Sequence, residues 1–154
     1  MQNDVFTEYV RRYSAMVYRI AYSYTRSRPD SEDIMQDVLL KLYQYGKSFR
    51  DEQHVKAWLI RVAVNRSKDI LRSSQKRQLQ EPCADTPADA AVSDAPLDEA
   101  MAALSEEYRL VVYLFYFEGY SVKEISCILR ISESNVKIRL KRAREKLKNL
   151  LTEE

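Results

Sequence analysis

The chain is short of what most folds use to turn tightly, hold metal or cross-link. It has two glycines and four prolines among 154 residues, too few for the turns of a many-stranded sheet. His54 is the one histidine, and the two cysteines, Cys83 and Cys127, lie far apart. That set builds neither a zinc-ligand spacing nor a disulfide framework, so no metal or other cofactor is expected. No apolar run approaches the ~20 residues that span a bilayer. Met1-Gln2-Asn3-Asp4-Val5 lacks the basic patch and apolar stretch of a signal peptide, so a cytoplasmic protein without membrane insertion is expected. No nucleophile–base pair, phosphate-cradling loop or metal set is legible, which argues against an enzyme.

What the chain does have is charge, unevenly placed. The formal net charge is only +2. Residues 1–78 nevertheless carry 15 Lys/Arg against 9 Asp/Glu, and residues 108–154 carry 10 against 6. Between them, residues 79–107 hold 8 Asp/Glu and no Lys or Arg. Basic blocks on folded helices suit a polyanionic partner, although a solvated surface gives the same count. With 45% hydrophobic residues and eleven tyrosines, there is enough apolar material for a core whose rings keep one polar edge wet.

Hydrophobic periodicity predicts an all-α protein. Val5, Tyr9, Tyr13, Met16, Ile20 and Tyr24 recur at helical spacing, and Ser27-Arg28-Pro29-Asp30 ends that helix. Asp30 is the expected cap of a second helix carrying Ile34, Val38 and Leu42, with Gly46 as its C-terminal cap. A polar loop holding Phe49 leads to a third helix over about 54–74, with Val55, Leu59, Val62, Ile70 and Leu71 pointing inward. Residues 79–96 are rich in Pro, Ala and Asp and nearly free of large apolar groups. They read as a flexible acidic linker between a domain at 1–78 and a second at 97–154.

In the second half, Leu97, Met101 and Leu104 mark a short helix. Ser105 can cap the next, which carries Val111, Val112, Leu114 and Phe115 and ends at Gly119. Ser121 and Glu124 have capping-box spacing ahead of a helix of about eight residues. Arg130-Ile131-Ser132 leaves room only for a tight turn, and Ser132 can cap a last helix with the stripe Val136, Leu140, Ala143, Leu147 and Leu150. A short helix, a tight turn and a longer helix form the helix-turn-helix pattern.

Two faces carry DNA-binding chemistry. On the last helix Lys137, Lys141, Arg144 and Lys148 share the side opposite the apolar stripe, flanked by Arg139 and Arg142. Such a helix fits the major groove, with its first exposed residues at base edges and later cations at phosphates. The bland alternative is a solvated basic face. On the third helix Trp58, Arg61, Asn65, Lys68 and Arg72 line one side, a mix suited to stacking, base-edge hydrogen bonds and phosphate contacts. Trp58 serves equally well as a core residue. Phe49 can stack a base or fold back onto its domain, and Arg66, off that face, is expected to pair with Asp69 or Asp33. Glu32, Asp33, Gln36 and Asp37 crowd the second helix, either as a solvated helix start or as a docking surface for a basic protein. No histidine accompanies them for metal or acid–base work.

These residues resemble a known family. Asp33-Ile34-Met35-Gln36-Asp37-Val38, Phe49-Arg50 and Trp58 through Asn65 resemble region 2 of extracytoplasmic-function sigma factors, and Ser121 through Leu147 resembles their region 4. The resemblance implies a region 2 helical bundle and a region 4 helix-turn-helix joined by an extended acidic linker. It implies an alternative sigma factor that binds core RNA polymerase and promoter DNA, with an anti-sigma factor as a further partner. Asp33, Gln36 and Asp37 match the face that docks on core polymerase. Phe49, Trp58, Arg61, Asn65 and Lys68 match positions that engage the minus-ten element, Phe49 and Asn65 by capturing a flipped base. Lys137, Arg139, Lys141, Arg142 and Arg144 match the helix that reads the minus-thirty-five element.

The chain departs from the family pattern in several places. Arg130 stands where glycine is usual in the turn, Ser134-Asn135 where Gly-Thr is common, Ile138 where serine is common, and His54 where serine is common in the specificity loop. The alternatives are a helix-turn-helix regulator that does not join polymerase and a pure protein-interaction module.

Overall fold

The structure, a computed structural model, describes residues 2–45, 47–80 and 95–152. Among them there are helices and no strands. The chain divides into two compact units, Met1–Ala88 and Asp89–Glu154.

The first unit is built on α1 (Asn3–Thr25), α2 (Arg28–Gln44) and α3 (Glu52–Gln80). The stripe of α1 buries Tyr13, Met16, Val17, Ile20, Ala21 and Tyr24, whereas Val5 at its start stays exposed. Ile34, Val38 and Leu42 of α2 and Val55, Leu59, Ile60 and Ala63 of α3 complete the core, all fully buried. Each of the Val, Ile and Leu side chains contributes roughly 1.5–3 kcal/mol by leaving water. Val62, Ile70 and Leu71, expected inside, are only half-buried. The corner between α1 and α2 differs from expectation in its cap. The Ser27 hydroxyl accepts from the Asp30 amide at 3.3 Å, so Ser27 is the N-cap and Asp30 lies in the first turn. Proline two residues after that cap is what a first helical turn tolerates. The Ser31 hydroxyl, fully buried, donates to the Ser27 carbonyl at 2.6 Å. Arg26 closes α1 in the left-handed region at φ 52° and lays its guanidinium over the Tyr22 ring.

Two expected boundaries move. α2 ends at Gln44 with Tyr45 as its extended C-cap, and Gly46 lies outside the described residues. α3 begins at Glu52 and continues to Gln80, six residues beyond the expected end at 74. Its last two residues overlap the start of the expected linker. Residues 81–94, most of that linker, lie outside the described residues, and Ala95 already opens the next helix.

The second unit comprises α4 (Ala95–Ala103), α5 (Glu106–Val112), a π-helical turn (Tyr113–Phe117), α6 (Val122–Leu129) and α7 (Glu133–Thr152). Ser105 caps α5 as expected, and the helix runs on into the π turn before Gly119, whose φ is 76°. Ser121 and Glu124 form the reciprocal capping box, with bonds of 3.0 and 3.1 Å. At the turn Arg130 adopts φ 59°, and its amide donates to the Ser126 carbonyl. The Ser132 hydroxyl then accepts from the Asn135 amide at 3.0 Å and starts α7. Val136, Leu140 and Ala143 are buried, which fixes the opposite side of α7 as its outer face.

Sequence reasoning counted Arg109 only as part of a basic block. It is 7% exposed and donates to the carbonyls of Ala102 at 3.4 Å and of Leu104. Those oxygens lie where α4 ends and have no partner within it, so a buried cation satisfies them.

Candidate nucleic-acid interface

In the first unit an aromatic cluster organises the loop between α2 and α3. Phe49 folds back, stacks on Tyr45 at 4.6 Å between ring centres and meets Trp58 edge-on at 5.7 Å. Tyr9 of α1 also meets Phe49 edge-on at 6.1 Å. Of the two readings left open for Phe49, the ring folds back and is half-buried, as is Trp58. His54 locks the loop: its Nδ1 accepts from the Arg50 amide at 3.0 Å, while its own amide donates to the Asp51 carboxylate at 2.8 Å. A cleft of about 420 Å³ opens beside the cluster, lined by Tyr9, Tyr45, Lys47, Ser48 and Phe49 together with Gln2 and Val5.

Arg12 ties the start of α3 to α1. It bonds Glu8 at 2.8 Å and also pairs with Glu52. Both carboxylates push the Arg12 guanidinium's pKa further up. Burial pushes the neighbouring Tyr13 phenol up, and the Glu52 carboxylate adds to this.

Along α3 the sequence-predicted stripe emerges from the core gradually. Trp58 and Arg61 are half-buried, and Asn65, Lys68 and Arg72 are exposed. Asn65 comes seven residues after Trp58, about 10 Å along the axis at 1.5 Å per residue. It stands outside the cleft that Phe49 lines.

On α2, Asp33 and Gln36 are exposed. Asp37 is engaged: Arg66 of α3 donates from Nε to its Oδ2 at 2.8 Å. The expected pairing of Arg66 with Asp69 or Asp33 is thus corrected, because the packing of α2 on α3 brings Asp37 nearest. Asp69 instead lies 4.0 Å from Arg72.

In the second unit Lys137, Lys141, Arg142 and Arg144 are all exposed on α7. Arg139 is not. Its side chain is 19% exposed and is drawn back toward α5, 3.7 Å from the Glu107 carboxylate. Its Nε donates to the Asn135 side-chain oxygen at 3.1 Å. Arg144 donates to the Leu140 carbonyl at 3.3 Å. Among the described residues no group of His, Cys, Asp and Glu could hold a metal ion, and no helix is long and apolar enough to cross a membrane.

A capped short helix, a tight turn and a cation-faced helix, in a chain whose other unit carries an aromatic and cationic helix side, define a helical DNA-binding protein of the helix-turn-helix class. Comparison with known proteins narrows this to a family. Residues 9–77 match the model of sigma-70 region 2, and residues 94–147 match that of sigma-70 region 4. The ECF RNA polymerase sigma factor SigM of Bacillus subtilis is 32% identical over 152 residues, 93% of each chain. A factor of the same name from Mycobacterium tuberculosis is 32% identical over 95% of this chain and 76% of its own. Among solved structures, the sigma factor RpoE of Bartonella quintana, crystallised with the anti-sigma factor NepR, superposes with a TM-score of 0.77 at 25% identity. That likeness covers 97% of this chain and 98% of the other. The chain belongs to the ECF RNA polymerase sigma factors. Its function is that of an alternative sigma factor, a subunit that joins core polymerase and directs promoter-specific initiation, and not that of a stand-alone regulator.

Proposed function

We propose that the two units divide promoter recognition between single-stranded and duplex DNA. In the first unit Asp33 and Gln36, with Asp37 at the rim, form the docking face for core polymerase. Phe49, Trp58, Arg61, Asn65 and Lys68 engage the opened minus-ten element: the aromatic cluster stacks and the polar side of α3 bonds bases and phosphates. In the second unit Lys137, Lys141, Arg142 and Arg144, joined by Arg139 once it leaves Glu107, bind the duplex minus-thirty-five element. The domains run 1–78 and 97–154, with 79–96 as the acidic connector between the two contacts.

The observation that carries this reading is the contrast between the two faces. That of α7 is cationic and free of aromatics, as phosphate and major-groove contact require. That of α3 adjoins an aromatic cluster and a cleft, which suits unstacked bases. The protein works in the cytoplasm, has no catalysis of its own, and is held in check by an anti-sigma factor, as the solved relative is crystallised with one.

Purified chain added to core polymerase on genomic DNA, with sequencing of the transcripts, tests it. New start sites sharing two upstream elements are expected. Start sites lacking a shared upstream element would remove the duplex-reading role from α7.

A further inference from the structure

The outer face of α7 holds a large apolar residue that its electrostatic role does not explain. Ile138 is 47% exposed. It lies about 160° round the helix from both Val136 and Leu140 at ~100° per residue, so it points directly away from the core those two fill. Its neighbours one turn away are Ser134, Asn135, Lys141 and Arg142, none of them an apolar group to pack on. A β-branched residue also gains nothing from helix propensity at an exposed position. Single exposed apolar residues are ordinary on protein surfaces. This one sits in the first turns of the recognition helix, where side chains reach base edges.

The exposed cations around it supply the second observation. Arg139, one residue on, is turned back against Glu107 and Asn135. On the wheel of the helix Ile138 lies between Lys141 and Arg142, both exposed one turn further on and about 60° and 40° to either side of it. Two flexible cations can hold phosphates on either side while the branched aliphatic group meets the groove floor. In the major groove only thymine presents an apolar group, its C5-methyl.

We infer that Ile138 is a specificity-determining residue that selects a thymine in the upstream duplex element by contact with its C5-methyl group. The inference rests on the reading of α7 as the duplex-binding helix, and its test separates the two.

Holoenzyme assembled from the full chain and core polymerase is offered a promoter located by transcript sequencing. Each thymine of the upstream element is replaced in turn by uracil, which removes the methyl group and leaves the base-edge hydrogen bonds unchanged. At one position the wild-type holoenzyme should lose about fourfold in affinity, the worth of one methyl group withdrawn from an apolar contact. The Ile138→Ala holoenzyme should bind thymine and uracil equally there, and because the side chain is exposed the variant should keep its helical circular dichroism. The inference is overturned if no uracil substitution weakens wild-type binding, or if Ile138→Ala still discriminates. A Lys141→Ala/Arg144→Ala variant reports on the underlying reading. If it weakens duplex binding while the methyl effect is absent, the Ile138 assignment alone fails. If it binds the duplex like the wild type, the assignment of α7 to duplex DNA fails with it.

Discussion

At the scale of single residues, Asp37 is asked to do two things. Its carboxylate belongs to the proposed docking face for core polymerase, yet it also accepts from Arg66 at 2.8 Å and so ties α2 to α3. The two side chains are 43% and 35% exposed, so water screens the pair and its worth to the fold is about 1 kcal/mol or less. Asp37→Lys should therefore cost little stability but weaken core binding by a few kcal/mol, since it reverses a charge at a contact rim. The exchange Asp37→Lys/Arg66→Glu separates the roles: it should restore stability in urea denaturation while core pull-down stays weak. Recovery of core binding by the exchange would mean that Asp37 serves the fold alone. Tyr13 gives a second residue-scale expectation. Its phenol is pushed above the ordinary value chiefly by burial and then by Glu52. The raised value favours the neutral form in the folded state, so this stabilising contribution is complete below the unfolded value of ~10 and is lost as pH rises through the folded one. Unfolding followed from pH 9 upward should show stability falling in the wild type and falling less steeply in Tyr13→Phe.

At the scale of helices, Arg130 tests how much a local backbone conformation contributes. It occupies the left-handed region at φ 59°, which an L-residue adopts at a cost and glycine does not. Arg130→Gly should stabilise the second unit by about 0.5–1 kcal/mol, the relief of strain offset in part by the greater freedom of glycine in the unfolded chain. A thermal melt with no gain in stability would show that Arg130 makes compensating contacts. The place of this strain follows from the family resemblance, since Arg130 stands where glycine is usual in the turn, while Ser121, Glu124 and Ser132 mark the helix starts on either side of it. The helices themselves were legible because apolar stripes and short polar caps are local signals. What escaped was set by contacts between elements. Arg66 chose Asp37 because of how α2 lies on α3, Arg109 is buried because α4 ends beside it, and Arg139 is drawn from its expected face by Glu107 on α5. Phe49 was ambiguous in sequence, and it is the rings of Tyr9, Tyr45 and Trp58, brought from three helices and their junction, that fold it back. The end of α3 was misjudged because polar residues such as Gln75 and Lys76 favour a helix without marking a buried face.

At the scale of the whole molecule, the proposed division of labour requires the two faces to fail in different ways. Lys141 and Arg144 are exposed on α7, so their loss should weaken binding to the duplex upstream element. Each lost phosphate contact should also reduce the salt slope of binding by about one. Asn65, exposed on α3, and Phe49, stacked in its aromatic cluster, belong to a later step. An extruded base costs a few kcal/mol to unstack, and these residues are assigned to hold it. Because Asn65 stands outside the cleft that Phe49 lines, the two should act at separate points of the opened strand. Their single variants should then add rather than substitute for one another. Asn65→Ala and Phe49→Ala should each form the closed promoter complex at near wild-type affinity and open it poorly, and the double variant should open it less than either. Permanganate reactivity of thymines around the start site reads this step directly. Normal opening by both variants, or loss of duplex binding as severe as in Lys141→Ala/Arg144→Ala, would remove strand capture from the first unit. A double variant no worse than the singles would place Asn65 and Phe49 on one base after all, which requires the loop from Tyr45 to Asp51 to leave its His54-locked position when polymerase opens the promoter.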